Sequence, residues 1–349
     1  MFDVLPVKKS VLEAWQVAEA GLPTRVVNSV RSVGVGTVGE LRTWPDADLL
    51  TLRSLGKKSL DQIHYFFLLC ERIEKGNQRF NTIREVLDIF LDINQFKVIS
   101  LRYGFGEKTM VASRNWVTLQ EIGNQESKTR ERVRQVEETG KSKLRSHMAA
   151  VCLQPFYDFV ITFIKDRSGT ASYEDVAELQ LTEAIGEINP CSIVLLLSDL
   201  APDTIRFHNN FFTTLPPETT HAIETKVCEL LAASPLPIGI DTLTRELIET
   251  VPAESEAALR RATRVIMDHH PDVGATKDHR YFLYTSSVMS ILHELMTQLE
   301  SPAHYRAVTT SFNEAVKVRS QKGAGYILEM LNRSDRCDRV DRGLYVLTS

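Results

Sequence analysis

Apolar residues in the first 150 positions recur at spacings of three and four, the pattern of helices that bury one face, with few interruptions. The breaks fall at Gly21-Leu-Pro23, Gly34 to Gly39, Trp44-Pro45, Gly76-Asn77 and Gly104 to Gly106, where glycine or proline punctuates the sequence. This half predicts a string of short helices. After Pro155 the pattern changes. Helical runs alternate with short aromatic or β-branched segments, 209–214, 280–285 and 343–348, whose closing threonines repeat at roughly seventy residues. Each repeat reads as two or three helices, a strand, a polar turn and a second strand, and the alternating Tyr, Phe, Leu and Val of the strands are expected to face a core.

The fold class expected is therefore mainly α. Helices followed by a two-stranded ribbon make a winged-helix-like α+β unit, and three fit in tandem over 151–216, 217–287 and 288–349. Two further modules precede them, over 1–76 and 80–150.

Composition narrows the class. A protein of 349 residues with 43% hydrophobic and 25% charged positions is globular and long enough for several cores. The longest aliphatic run, Ile193 to Leu197, is too short for a bilayer, and Glu13 and Glu19 interrupt any signal-peptide core, so neither a membrane span nor secretion is expected. The five cysteines, at 70, 152, 191, 228 and 337, form no CxxC pair; they read as buried apolar residues in a reducing cytoplasm. Net charge is −4, but unevenly spread. Residues 1–150 hold 23 basic against 18 acidic residues, and residues 151–349 hold 18 against 27. A basic front half suits phosphate contact, and an acidic array suits protein contact.

Gly34-Val-Gly-Thr-Val-Gly39 matches the GxGxxG fingerprint, but Arg25 to Ser32 ahead of it has the spacing of a short helix rather than a buried strand, so a helix-to-helix loop is expected. Leu52-Arg-Ser-Leu-Gly-Lys-Lys-Ser-Leu-Asp-Gln-Ile63 carries more chemistry. Gly56 offers the positive φ of a tight turn, and Ser59 with Gln62 offers a capping box, which predicts a helix starting at Ser59. Its free amides beside Lys57 and Lys58 would make a phosphate seat of the helix-hairpin-helix type; a plain turn is the alternative. Residues 22–68 resemble the carboxy-terminal domain of the bacterial RNA polymerase alpha subunit in order, spacing and signature. The resemblance implies an A·T-rich minor groove held by Arg25, Asn28, Ser29, Gly56, Lys58 and Ser59. Gln62 departs from the acidic residue common in that family.

Seven basic residues crowd into Lys128-Thr-Arg-Glu-Arg-Val-Arg-Gln-Val-Glu-Glu-Thr-Gly-Lys-Ser-Lys-Leu-Arg145. Thr118 and Glu121 predict a capping box, Asn124 to Lys128 a short connection, and Thr129 the cap of a second helix, together a helix-turn-helix pattern. On that second helix Val133, Val136, Gly140 and Leu144 share one face, while Arg130, Glu131, Arg134, Gln135 and Lys141 share the other. Arginine, glutamate and glutamine suit major-groove edges; a solvated helix stitched by Glu–Arg pairs is the alternative. Residues 83–145 also look like region four of the primary sigma factors, through Val98 to Phe105, Thr118 to Gly123 and Thr129 to Arg145. That resemblance implies base reading by Arg130, Glu131 and Gln135, with phosphate or supporting contacts from Arg132 and Arg134; Thr129, the expected cap, is counted with them among the DNA-binding candidates. The NQESK turn departs from the family, as does Gly140, which loosens a helix by about 1 kcal/mol relative to Ala.

Enzyme chemistry is not expected. His269-His270 lack a spaced ligand set, and no Walker loop, GxSxG or HExxH occurs, so no metal, cofactor or small-molecule substrate is evident. The sequence reading is a bacterial, cytoplasmic regulator of transcription that binds double-stranded DNA, with RNA polymerase as a further partner. Its rivals are a polymerase-binding or anti-sigma-like interaction protein and the DNA-recognition subunit of a nuclease or defence system. Arg260, Arg261 and Arg264 make a candidate second reading helix in the acidic half.

Overall fold

The computed structural model describes residues 2–105, 117–179, 188–252, 255–285 and 287–348. The protein divides into two compact units, residues 1–163 with 173–207, and residues 164–172 with 208–349. Helix dominates, as the periodicity predicts, and the strands are short and antiparallel.

In the first unit, β1 (Phe2–Asp3) pairs with β2 (Arg79–Phe80), closing the segment that contains helices α1 (Lys9–Ala14), α2 (Thr24–Arg31), α3 (Val38–Arg42), α4 (Asp46–Thr51) and α5 (Lys57–Glu74). The residues at three-and-four spacing are the buried ones: Val26 and Val30 on α2, Val38 and Leu41 on α3, Ile63, Phe66, Cys70 and Ile73 on α5. Of the glycine-rich segment, Gly34 to Thr37 form the helix-to-helix connection its context predicts, while Val38 and Gly39 already belong to α3. The segment also packs on the residues ahead of it: Val17 N–H donates to the Gly36 carbonyl at 2.9 Å and Val38 N–H to the Trp15 carbonyl at 2.9 Å. A Cβ on Gly39 would sit 3.1 Å from the Glu13 carbonyl, so the glycine serves close backbone approach.

The same unit continues with α6 (Ile83–Phe90), α7 (Ile93–Tyr103), α8 (Leu119–Glu126), α9 (Arg130–Leu144), α10 (His147–Lys165), α11 (Tyr173–Ala177) and α12 (Pro190–Leu200). The break at Gly104 to Gly106 is described as far as Phe105, with Gly104 left-handed at the end of α7; Gly106 lies outside the described residues. One helix among the described residues, α10, is long and apolar enough to cross a membrane by length and composition, although no long aliphatic run marks it in the sequence. One of its faces buries Met148, Cys152, Phe156 and Val160, Tyr157 donates to the Leu197 carbonyl at 3.2 Å, and Gln154 and Asp158 stand exposed opposite.

The strands that follow make three sheets with one topology. Their orders are β3 (Thr170–Ser172), β5 (Phe211–Thr213), β4 (Arg206–His208); then β6 (Ile238–Gly239), β8 (Arg280–Leu283), β7 (Val273–Ala275); then β9 (Ala303–His304), β11 (Leu344–Leu347), β10 (Cys337–Asp341). In each, the first strand in sequence pairs with the third. In the second unit helices α13 (Pro217–Ala233), α14 (Ile240–Ile248), α15 (Glu256–His269), α16 (Val288–Gln298), α17 (Tyr305–Ala315) and α18 (Ala324–Arg333) accompany the last two sheets. Strand β8 serves two cores at once. Tyr281 and Leu283 join the cluster of Ile223, Leu243 and Ile266, while Phe282 joins that of Leu292, Phe312 and Ile327, because alternate side chains leave a strand on opposite faces. A Cβ on Gly274 would lie 2.3 Å from the Phe282 ring, so only glycine fits beneath it.

Candidate nucleic-acid interface

The first candidate surface is built on α2 and the start of α5. Arg25 and Asn28 are exposed on α2, but Ser29 is buried at 7% exposure and its hydroxyl donates to the Arg53 carbonyl at 2.7 Å. That bond ties α2 to the turn between α4 and α5. The turn differs from the expectation in two respects. Its left-handed residue is Ser54, at φ 71°, while Gly56 is extended and forms the N-cap of α5. Helix α5 starts at Lys57 rather than Ser59, with no cap from any side group. Ser59 lies within the first turn, 5% exposed, its N–H donating to the Gly56 carbonyl at 2.9 Å; the Ser59–Gln62 capping box does not form. Gly56, a residue type favoured at this position, takes the N-cap place expected for Ser59. The result is an uncapped helix start flanked by exposed Lys57 and Lys58. A Cβ on Gly56 would meet nothing within 4 Å, so the backbone there is open to approach.

The second surface is the exposed face of α9. Thr118 and Glu121 form the predicted capping box of α8, and Thr129 Oγ1 accepts from Arg132 N–H at 3.2 Å as the predicted cap of α9. The connection is shorter than expected. Helix α8 runs through Glu126, and Ser127, left-handed at φ 52°, turns the backbone. Gly123 makes the tight turn fit, because a Cβ there would lie 2.7 Å from the Lys128 carbonyl oxygen. Val98, Ile122 and Val133 form the core beneath α7, α8 and α9. Gly140, expected to loosen α9, instead seats it on α7: its Cβ would lie 2.9 Å from Ile99 Cδ1.

The basic stretch divides in two. Arg130, Glu131, Arg132, Arg134 and Gln135 are exposed together at the start of α9. Glu131 accepts two hydrogen bonds of 2.9 Å from Arg134 and one of 3.2 Å from Gln135 Nε2. Those hydrogen bonds hold the Glu131 carboxyl down to about 2, the Arg134 contribution being the larger. The stitched-helix alternative thus describes this pair. Arg130 forms no ion pair among the described residues.

The rest of the cluster does structural work. Lys141, expected on the outer face, is an inward residue, 13% exposed, whose Nζ donates to Asp199 at 3.0 Å and lies 3.3 Å from Glu137. The Tyr103 hydroxyl donates to the same Asp199 carboxylate. Burial raises the Asp199 carboxyl, but the hydrogen bonds from Tyr103 and Lys141 outweigh it and the net shift is downward. Lys143 donates to Gln95 at 2.7 Å, and Arg145 donates to the Asp199 and Leu200 carbonyls at the end of α12, at 2.9 and 3.4 Å. Helical spacing missed this division because the partners come from α7 and α12, remote in sequence.

The arginines of α15 are partnered as well. Arg260 pairs with Asp241 at 2.8 Å, Arg261 donates to the Arg167 carbonyl at 3.2 Å, and Arg264 lies 3.0 Å from His279 Nε2. Among the described residues no group of three or more His, Cys, Asp or Glu is arranged to hold a metal ion.

Residues 8–66 match the family of the C-terminal domain of the bacterial RNA polymerase alpha subunit. The match begins ahead of the resemblance read from residues 22–68, so it takes in α1 and the Trp15–Val17 contacts to the glycine loop. It covers under a fifth of the protein. No curated protein and no solved structure matches.

Proposed function

We propose that this protein binds duplex DNA in transcription through its front half, with α2 and the start of α5 holding the backbone and the start of α9 reading the major groove. The observation that carries the reading is the uncapped start of α5 inside the segment that matches the alpha-subunit family. Open amides, Lys57, Lys58, and exposed Arg25 and Asn28 give a phosphate oxygen donors and positive charge together. Ser29 supports that surface through Arg53 rather than by contact.

The sigma-region-four resemblance of residues 83–145 is part of the proposal; residues 106–116 of that stretch lie outside the described residues. Its support is the capped α8, the tight turn at Gly123 and the exposed Arg130–Gln135 segment on α9, which together have helix-turn-helix form. The three repeated sheets have the strand order of winged-helix units, and their excess of acidic residues favours protein partners, RNA polymerase among them.

One observation favours the rival in which the α9 face binds a protein: Glu131, Arg134 and Gln135 are already bonded to one another. Titrating the full-length protein against a labelled duplex at several salt concentrations separates the two. Affinity that falls steeply with salt, and falls further on Lys57→Ala with Lys58→Ala, supports DNA binding. Absence of duplex binding at low salt overturns it.

A further inference from the structure

A cationic cleft lies within the acidic back half. It lies in the last sheet repeat, between the first turn of α17 and the β10–β11 hairpin, has a volume of about 470 Å³, and is lined by His304, Tyr305, Arg306, Asn332, Arg339 and Arg342 among others. Arg306 Nε donates to the Tyr305 hydroxyl at 3.3 Å and Arg339 Nε to the Asp341 carbonyl at 3.1 Å. The Asp341 carboxylate accepts from the Arg342 backbone N–H at 2.6 Å. Among the described residues no carboxylate forms an ion pair with any of the three. Arg333, on neighbouring α18, is by contrast paired with Glu329 at 2.7 Å.

The hairpin is shaped to bring these charges together. Arg339 lies in β10 and Arg342 in the turn that follows it, and both line the cleft; the register of β10 against β11 shifts between Arg339, opposite Tyr345, and Asp341, opposite Leu344. The turn is then fixed against α17. Tyr305 N–H donates to the Gly343 carbonyl at 2.9 Å, and a Cβ on Gly343, at φ 78°, would lie 2.8 Å from His304 Nε2. Three like charges held in one cleft repel one another, and a bound anion would relieve that repulsion.

We propose that this cleft binds a phosphoryl group. Forked arginine donors match the oxygens of a phosphate, and the cleft has the size of a small-ligand site. The group arrives on a small phosphate ester or on a nucleic-acid backbone, and the surrounding acidic surface favours the compact ligand over the long polyanion. This site is independent of the front-half DNA reading.

Arginine modification by phenylglyoxal, mapped by peptide mass spectrometry on the full-length protein, tests it with inorganic pyrophosphate in one arm and a short duplex in the other. Pyrophosphate is expected to slow modification of Arg306, Arg339 and Arg342 roughly threefold or more at saturation, leaving Arg333 unchanged. Protection by duplex alone assigns the group to a nucleic acid. In a folded R339Q/R342Q variant, Arg306 loses its protection. Unchanged modification of all three with both ligands overturns the proposal, whereas Arg130 in the same digest reports separately on duplex binding by the front half.

Discussion

Glu131 and Arg134, one turn apart on the exposed face of α9, are joined by two hydrogen bonds of 2.9 Å. Arg134 is thereby engaged before any ligand arrives, whereas Arg130 beside it has no ion-pair partner among the described residues. Arg130→Ala is expected to weaken binding to a preferred duplex by about 1–3 kcal/mol and to relax preference at one base pair. Binding selection on wild type and variant at one salt concentration measures this; an identical sequence profile removes Arg130 from base reading.

Arg25→Ala and Lys58→Ala should lower affinity for every duplex, most of all at A·T-rich sites, and flatten the salt dependence by about one unit or less each. Ser29→Ala acts differently. It removes the bond to the Arg53 carbonyl and should cost about 1 kcal/mol of stability. Denaturant melts beside salt titrations distinguish the contact residues from the supporting one.

Gly123→Ala should destabilise the protein by about 1–3 kcal/mol, since its Cβ would press on the Lys128 carbonyl, and backbone cannot step aside cheaply. Gly140→Ala meets the end of the Ile99 side chain, which can turn, and gains about 1 kcal/mol of helix propensity. Its net effect should be the smaller loss. Urea melts of the two variants rank them, and the reverse order would contradict the packing described for α7, α8 and α9.

Asp199 gives the fold a defined acid sensitivity. Its folded carboxyl titrates below the unfolded value of about 3.9, so its stabilising contribution is complete above that value and is lost as pH falls through the lower folded value. Asp199→Asn should therefore lower stability at neutral pH, and the stability difference from wild type should shrink as the pH falls below the unfolded value of about 3.9. Tyr103→Phe, which removes one donor to a charged group, should cost about 1.5–3 kcal/mol. Melting curves across pH check both; a constant gap between D199N and wild type would exclude the network.

Burial pushes the thiols of Cys70, Cys152 and Cys191 up to about 12. In the native protein at pH 8 an alkylating reagent should label Cys228, the most exposed of the five cysteines, ahead of these three. Rapid native labelling of Cys70 would show that the core of the first unit opens.

Periodicity and capping motifs by themselves determined that the front half is helical, that Thr118, Glu121 and Thr129 cap α8 and α9, and that short aromatic strands punctuate the rest; these depend on neighbours a few residues away. Local chemistry could not fix the start of α5, where a Gly56 N-cap displaced the Ser59–Gln62 box. Nor could it divide the basic stretch. Arg130 and Lys141 look alike on a helical projection, and only the arrival of Asp199 from α12 makes one an exposed cation and the other a half-buried partner. The cationic cleft was out of reach for the same reason: Arg306, Arg339 and Arg342 come together from α17, β10 and a turn packed on α17, contacts that exist only once the sheet has formed. Hydrophobic spacing specifies which face of an element is buried; which charged groups then meet depends on long-range packing that the local pattern does not contain.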